Sequence, residues 1–302
     1  MQNNFKSGFI ALIGRPNVGK STFINQVVGK KVAIVSDKPQ TTRNNILGIK
    51  TTDEYQLIFT DTPGVHKGST KLDDVMENET FTSAKDADMV LFMTTPLKEV
   101  LKGDEIILER LKQHHIPAYL VINKVDQLKH FNDIDLTIAK YKDLYDFKGV
   151  YPISLKENKN VDILLNDIVK ELPLGFKYYP DGQISDHDTP FLVSEIIREK
   201  LLYKTEKEIP HSIAVGIDTM KTLEDGSVDI LATIYCERDS QKKIIIGKGG
   251  EKIKRVKELA KSDIKKLLSK SIHLDLWVKV KKDWKDKPNY LKEFGFDINN
   301  YK

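Results

Sequence analysis

The chain has 302 residues, 40% hydrophobic and 30% charged, with a single cysteine, Cys236. That length suits two domains, since one domain usually takes about 100 to 200 residues, and the lone cysteine excludes an internal disulfide framework and points to the cytosol. The net charge of +4 hides an uneven spread: residues 1 to 180 carry 24 Lys and Arg against 23 Asp and Glu, whereas Ser240 to Lys285 carry 15 against 5, a basic segment suited to a polyanion.

The first apolar run, FIALI at Phe9 to Ile13, has five residues, too few for a signal-peptide core or a membrane span. Closed by Gly14 and followed by KSTFINQVVG, it predicts a buried strand, a turn and a helix. YQLIFTDTPG, ADMVLFMTT, PAYLVINKVD and GVYPISLK predict further strands, with helical segments such as GDEIILERLKQH and VDILLNDIVKEL between them. This alternation implies an α/β domain with a mostly parallel sheet, helices on both faces and ligands at the carboxyl ends of the strands.

The polar stretch FKYYPDGQISDHDTP breaks the rhythm and predicts a linker over residues 176–189, between a first domain at 1–175 and a second at 190–302. The second domain reads as a helix (FLVSEIIREKLLYKT), strands at SIAVGIDTM and SVDILATIYCE, a helix on either side of GKGG, and a strand at SIHLDLWVKVKK. In the lysine-rich tail, core packing is expected for Trp277, while Trp284 stays open between packing and stacking on bases.

Three motifs of the first domain carry chemistry. GRPNVGKS, Gly14 to Ser21, matches GxxxxGKS between a strand and a helix: its glycines free backbone N–H groups for phosphates, Lys20 supplies charge to the β and γ phosphates, and the Ser21 hydroxyl ligates Mg²⁺. DTPG places Asp61 where it holds the Mg²⁺ shell and frees the Gly64 N–H for a γ-phosphate. NKVD follows an apolar strand, and Asp126 there accepts two hydrogen bonds from guanine that adenine cannot offer.

These elements, with PQTTR at Pro39 to Arg43 and Ser154 after a fifth strand, resemble the translation-factor-related GTPases over residues 8–172. The resemblance implies a P-loop GTPase fold, GTP and GDP as ligands, and a nucleotide site of Asn17, Gly19, Lys20, Ser21, Thr22, Asp61, Gly64, Asn123, Lys124, Asp126 and Ser154. It implies Mg²⁺ held by Ser21, Thr42 and Asp61, with Thr42 preferred to Thr41 as the switch threonine, and Lys20, Thr42 and Gly64 as the catalytic set. Ser154-Leu155-Lys156 stands where the family has Ser-Ala-Lys. Val65 occupies the position of the water-orienting glutamine, which implies slow intrinsic hydrolysis. His66 is open between base and exposed side chain, and Asn17 between ligating K⁺ and stabilising the loop.

The second domain resembles a type II KH domain, an α+β fold whose GxxG loop clamps a single-stranded backbone. The resemblance assigns Gly247, Lys248, Gly249 and Gly250 to RNA, with the KKIIIG run lining the groove for bases. A GTPase followed by one such domain resembles the Era family over nearly the whole chain. That implies a bacterial, cytoplasmic monomer binding small-subunit ribosomal RNA near its 3′ end and the 30S subunit as a GTP-gated assembly checkpoint, with peripheral inner-membrane association in some relatives. The rivals are a nucleotide-regulated RNA adaptor with incidental hydrolysis and a membrane-associated signalling GTPase.

Overall fold

The computed structural model describes residues 4–36, 38, 41–43, 45–64, 71–97, 99–128, 130, 133–205, 209 and 212–294. Val65 and His66, and Pro39 and Gln40 of PQTTR, lie outside them. The chain forms two compact units, one from residues before His187, the other from His187 onward together with Ile34–Thr41 and a stretch before Met76.

The first unit runs β1 (Lys6–Ile13), α1 (Lys20–Val28), β2 (Ile46–Thr51), β3 (Tyr55–Asp61), α2 (Lys71–Asp86), β4 (Met89–Thr94), α3 (Lys102–Gln113), β5 (Ala118–Ile122), α4 (Asp133–Leu144), β6 (Val150–Pro152) and α5 (Val161–Glu171). The strands form one sheet in the order β2-β3-β1-β4-β5-β6, parallel throughout except for the antiparallel edge pair β2–β3. Alternation explains why these strands read as continuous apolar runs. Ile10 and Leu12 of β1, with Met89, Leu91 and Met93 of β4, pack with Phe23 and Ile24 of α1 and Leu164 and Ile168 of α5. Ala11, Ile13, Val90 and Phe92 point the other way, onto Ile107, Leu108 and Leu111 of α3 and Tyr141 of α4. Both faces are buried, so no polar stripe appears. The strands β1, β3, β4 and β5 all end on one side, and the loops that leave that side hold the predicted site.

The second unit runs α6 (Thr189–Lys204), β7 (Ala214–Thr222), β8 (Val228–Cys236), α7 (Asp239–Ile246), α8 (Glu251–Leu268), β9 (Ile272–Val280) and α9 (Pro288–Glu293). Its sheet is β7-β8-β9, antiparallel then parallel. Asp188 caps α6 by accepting from the Phe191 N–H, and Pro190 sits in the first turn, where its missing donor costs nothing. Val193, Ile197 and Leu201 of α6 and Val256, Ala260 and Ile264 of α8 cover one sheet face, and Ile34 joins the same core.

Trp277 corrects the expectation for the tail, and Trp284, left open by the sequence, packs into the core. Trp277 is 61% exposed and is not a core residue, whereas Trp284 is fully buried and donates its indole N–H to the Ser212 carbonyl at 3.0 Å. In β9 the even positions Ile272 and Leu274 face the core, so Trp277, an odd position, faces outward.

Candidate nucleotide-binding site and nucleic-acid loop

The loop between β1 and α1 closes around Lys20, which is buried and donates its ammonium to the carbonyls of Gly14 at 2.8 Å and Arg15 at 3.0 Å. Gly19 leads into α1 at φ 113°, and a Cβ there would lie 2.3 Å from Asn123 Nδ2, so any other residue would be both strained and in collision. Burial pushes the Lys20 ammonium down to about 8, opposed by the charges of Asp61 and Asp104 and reinforced by Arg15.

Beside Lys20 three oxygen-bearing side chains meet. Ser21 Oγ donates to Asp61 Oδ2 at 2.6 Å, Thr42 Oγ1 donates to the same oxygen at 3.2 Å, and the two hydroxyls lie 3.2 Å apart. Thr41 instead donates to the Lys38 carbonyl, so Thr42 is the threonine that joins the cluster. Burial raises the Asp61 carboxyl, opposed by Lys20 and by the hydrogen bonds from Ser21 and Thr42. Asp61 Oδ1 is buried with no hydrogen-bond partner among the described residues. An all-oxygen set with one orphaned carboxylate oxygen fits Mg²⁺. Gly64 comes up against the phosphate loop: a Cβ on it would lie 2.7 Å from Pro16 Cγ. Thr22, on α1 next to Ser21, is half-buried.

NKVD does more than its motif suggests. Asn123 is buried and uses both ends of its amide, donating to the Val18 carbonyl at 2.8 Å and accepting from the Leu155 N–H at 3.2 Å. Lys124, at φ 66°, donates its ammonium to the Asn17 carbonyl at 2.8 Å. Two residues of the base-side motif therefore hold the phosphate loop, across separations of 105 and 107 residues. Asp126 accepts from Ser154 Oγ at 2.7 Å. That hydroxyl also accepts from the Glu157 N–H at 3.2 Å, which orients it toward the carboxylate. Asn17 sits at φ 65° inside the loop.

In the second unit Gly247 ends α7 at φ 77°, ψ 172°, and a single turn over Lys248–Gly250 delivers the chain into α8. Gly249 and Gly250 have φ 59° and 79°, and a Cβ on either would meet nothing within 4 Å. The loop is thus open above Gly249 and Gly250, with Lys248 exposed beside them, and closed at Gly247, where a Cβ would lie 2.8 Å from Lys252 Cβ. The KKIIIG run is not a continuous groove lining: Ile245 is buried in the core, Ile246 is half-buried and Ile244 alone of the three is exposed, because a helix cannot turn three successive residues to one face. Among the described residues no helix is long and apolar enough to cross a membrane.

A family model described as a 50S ribosome-binding GTPase matches residues 9–124, and a KH-domain model matches residues 208–285. Two solved structures resemble the chain along nearly its whole length. One is Era in complex with MgGDPNP and nucleotides 1506–1542 of 16S ribosomal RNA, 36% identical with a TM-score of 0.92, the match covering 97% of this chain and all of that one. The other is a point variant of Aquifex aeolicus Era bound to GDP·AlF4⁻, 35% identical with the same TM-score and coverage.

Proposed function

Because the chain belongs to the Era family of GTPases, we propose that it binds GTP and hydrolyses it slowly in its first unit, grips single-stranded small-subunit ribosomal RNA near the 3′ end with its second, and acts as a GTP-gated checkpoint in ribosome assembly. The observation that carries this reading is the convergence of Ser21 and Thr42 on Asp61 beside the buried Lys20.

Each residue has a distinct task in this reading. Ser21, Thr42 and Asp61 would hold Mg²⁺, which would neutralise the negative charge that develops on the phosphate oxygens. Lys20, held on the carbonyls of Gly14 and Arg15, would offer its remaining donor to the same phosphates, and the N–H groups of Gly19 and Gly64 would face them. Asp126 accepts the two guanine donors while the Ser154 hydroxyl holds one of its oxygens. Asn123 and Lys124 keep the phosphate loop in register with the base site. With Val65 where a glutamine would orient water, Asn17 would either ligate a K⁺ ion that supplies part of the missing stabilisation or steady the phosphate loop. The GKGG loop gives the RNA backbone a close approach, and Lys248 adds the charge. The protein works as a cytoplasmic monomer that meets the 30S subunit.

Phosphate release from GTP, measured with and without 30S subunits, tests this. Turnover is expected to rise with the subunit. A rate unmoved by it supports an adaptor with incidental hydrolysis, and tighter binding to anionic vesicles than to RNA supports a membrane-associated GTPase.

A further inference from the structure

Behind the phosphate loop lies a buried polar cluster that none of the roles above uses. Asp104, in the first turn of α3, is fully buried. Its Oδ2 lies 2.8 Å from Arg15 Nε, accepts from the Tyr141 hydroxyl at 2.6 Å and accepts from the Thr94 hydroxyl at 3.2 Å. Thr94 Oγ1 and Tyr141 Oη are themselves 2.8 Å apart. Three separate elements, the end of β4, the start of α3 and the last turn of α4, thus meet at one carboxylate oxygen. A buried carboxylate is costly unless paired and hydrogen-bonded, so a cluster of this kind has to offset its own desolvation.

Arg15 connects that cluster to the phosphate loop. Its side chain is only 17% exposed, and its Nε pairs with Asp104 by charge at 2.8 Å without hydrogen-bond geometry, Nε and Nη2 both being buried with no hydrogen-bond partner among the described residues. A Cβ on Gly103 would come 3.1 Å from its Cδ and 3.2 Å from its Cγ, so the start of α3 lies flat along the arginine stem and blocks that path of retreat. The main-chain carbonyl of the same residue is one of the two acceptors of the Lys20 ammonium. A loop otherwise held by short contacts gains a rigid anchor at its second residue, and binding groups need placement to within about 0.5 Å to be effective.

We propose that Arg15 is a positioning residue for phosphate binding, its guanidinium clamped by the buried Asp104–Tyr141–Thr94 cluster so that its carbonyl presents the Lys20 ammonium to the β-phosphate. Arg15 itself stays on Asp104 and does not touch the nucleotide. The proposal rests on the GTP-binding reading above.

The test is a double-mutant cycle with GDP as ligand, read by calorimetry on the full chain. Arg15→Met alone leaves a buried carboxylate without its cation and risks misfolding, so the informative variant is Arg15→Met with Asp104→Asn, which removes both charges at similar volume and keeps an acceptor for Tyr141 and Thr94. Circular dichroism and thermal melting check its fold. The expected result is a loss of GDP affinity of about tenfold to a hundredfold, the scale of a misplacement of roughly 1 Å. In a Lys20→Ala background the same pair of changes is expected to cost nothing further, because Arg15 acts through Lys20. Arg15→Lys, which keeps a cation on Asp104, is expected to recover most of the affinity. Unchanged GDP affinity in the folded pair, or an equal loss with and without Lys20, overturns the proposal. A parent protein that binds no GDP refutes the GTP-binding reading instead, and the clamp falls with it.

Discussion

Asn123 offers the sharpest separation between a residue that reads the ligand and one that builds the site. Asn123→Ala removes the donor to the Val18 carbonyl and the acceptor of the Leu155 N–H, both in a buried setting. Each backbone group left without its partner costs about 1–3 kcal/mol, so the two together cost about 2–6 kcal/mol. Against a typical domain stability of about 5–15 kcal/mol this is a large fraction, and it falls on the segment leading into α1 and on the loop after β6. Because both tryptophans lie in the second unit, fluorescence would miss the effect. Native-state hydrogen exchange of amides in α1 and around Leu155, without nucleotide, reads it directly. Protection there is expected to fall by at least about 2 kcal/mol. Asn123→Asp keeps an acceptor for Leu155 but sets a carboxylate against the Val18 carbonyl, and is expected to be no milder. Loss of nucleotide affinity with protection changed by less than about 0.5 kcal/mol would show that Asn123 acts on the ligand alone and would refute the scaffolding argument.

Asp126→Asn is expected to lose GTP and gain xanthosine triphosphate, since the amide donates where the carboxylate accepted; at about 1.5–3 kcal/mol per hydrogen bond to a charged group, the loss is at least about tenfold, and unchanged GTP affinity in a filter-binding assay would reject Asp126 as the guanine reader. Replacing Na⁺ by K⁺ at constant ionic strength is expected to raise GTP turnover, and Asn17→Ala to abolish the difference; equal rates in both salts exclude the ion. Lys248→Asp with Gly249→Asp is expected to abolish single-stranded RNA binding while leaving intrinsic hydrolysis unchanged, since the loop belongs to the second unit and the strain of aspartate at a φ of 59° stays local, its Cβ meeting no neighbour within 4 Å. Lys248→Ala is expected to lower the salt slope of RNA affinity by about 0.7, and tight binding by a folded double variant would reject the loop as the clamp.

What was legible in the sequence follows from how local each feature is. The central strands announce themselves because both their faces are buried, and the phosphate loop because its glycines and lysine are contiguous. The edge strand β2 escaped because Gly48 interrupts an otherwise apolar run, and the reason for that glycine is distant: a Cβ there would lie 2.3 Å from Ile24 Cγ2 of α1. The same holds for the site. Asp126 can be read from its tetrapeptide, but the grip of Asn123 and Lys124 on the phosphate loop spans more than 100 residues and has no local signature. Arg15 looks like a spacer in GxxxxGKS until Asp104, 89 positions later, is seen to hold it.

The tail holds one residue that a local rule places and one that it does not. Trp277 and Trp284 sit seven residues apart in one lysine-rich stretch, yet one is exposed and the other is fully buried. For Trp277 the deciding fact is parity. Ile272 and Leu274 face the core, so a residue three after Leu274 must face away, and its register partner on β8 is Thr233 rather than a core isoleucine. Counting from Ile272 along SIHLDLWVKV settles that much without coordinates. Parity ends with the strand at Val280, so it says nothing of Trp284. That side chain lies in a separate turn, where its indole N–H reaches the Ser212 carbonyl 72 residues away and its ring meets Phe294 edge-on at 5.3 Å. Such partners follow from tertiary closure alone, which is why strand parity suffices to turn Trp277 outward and no local period places Trp284.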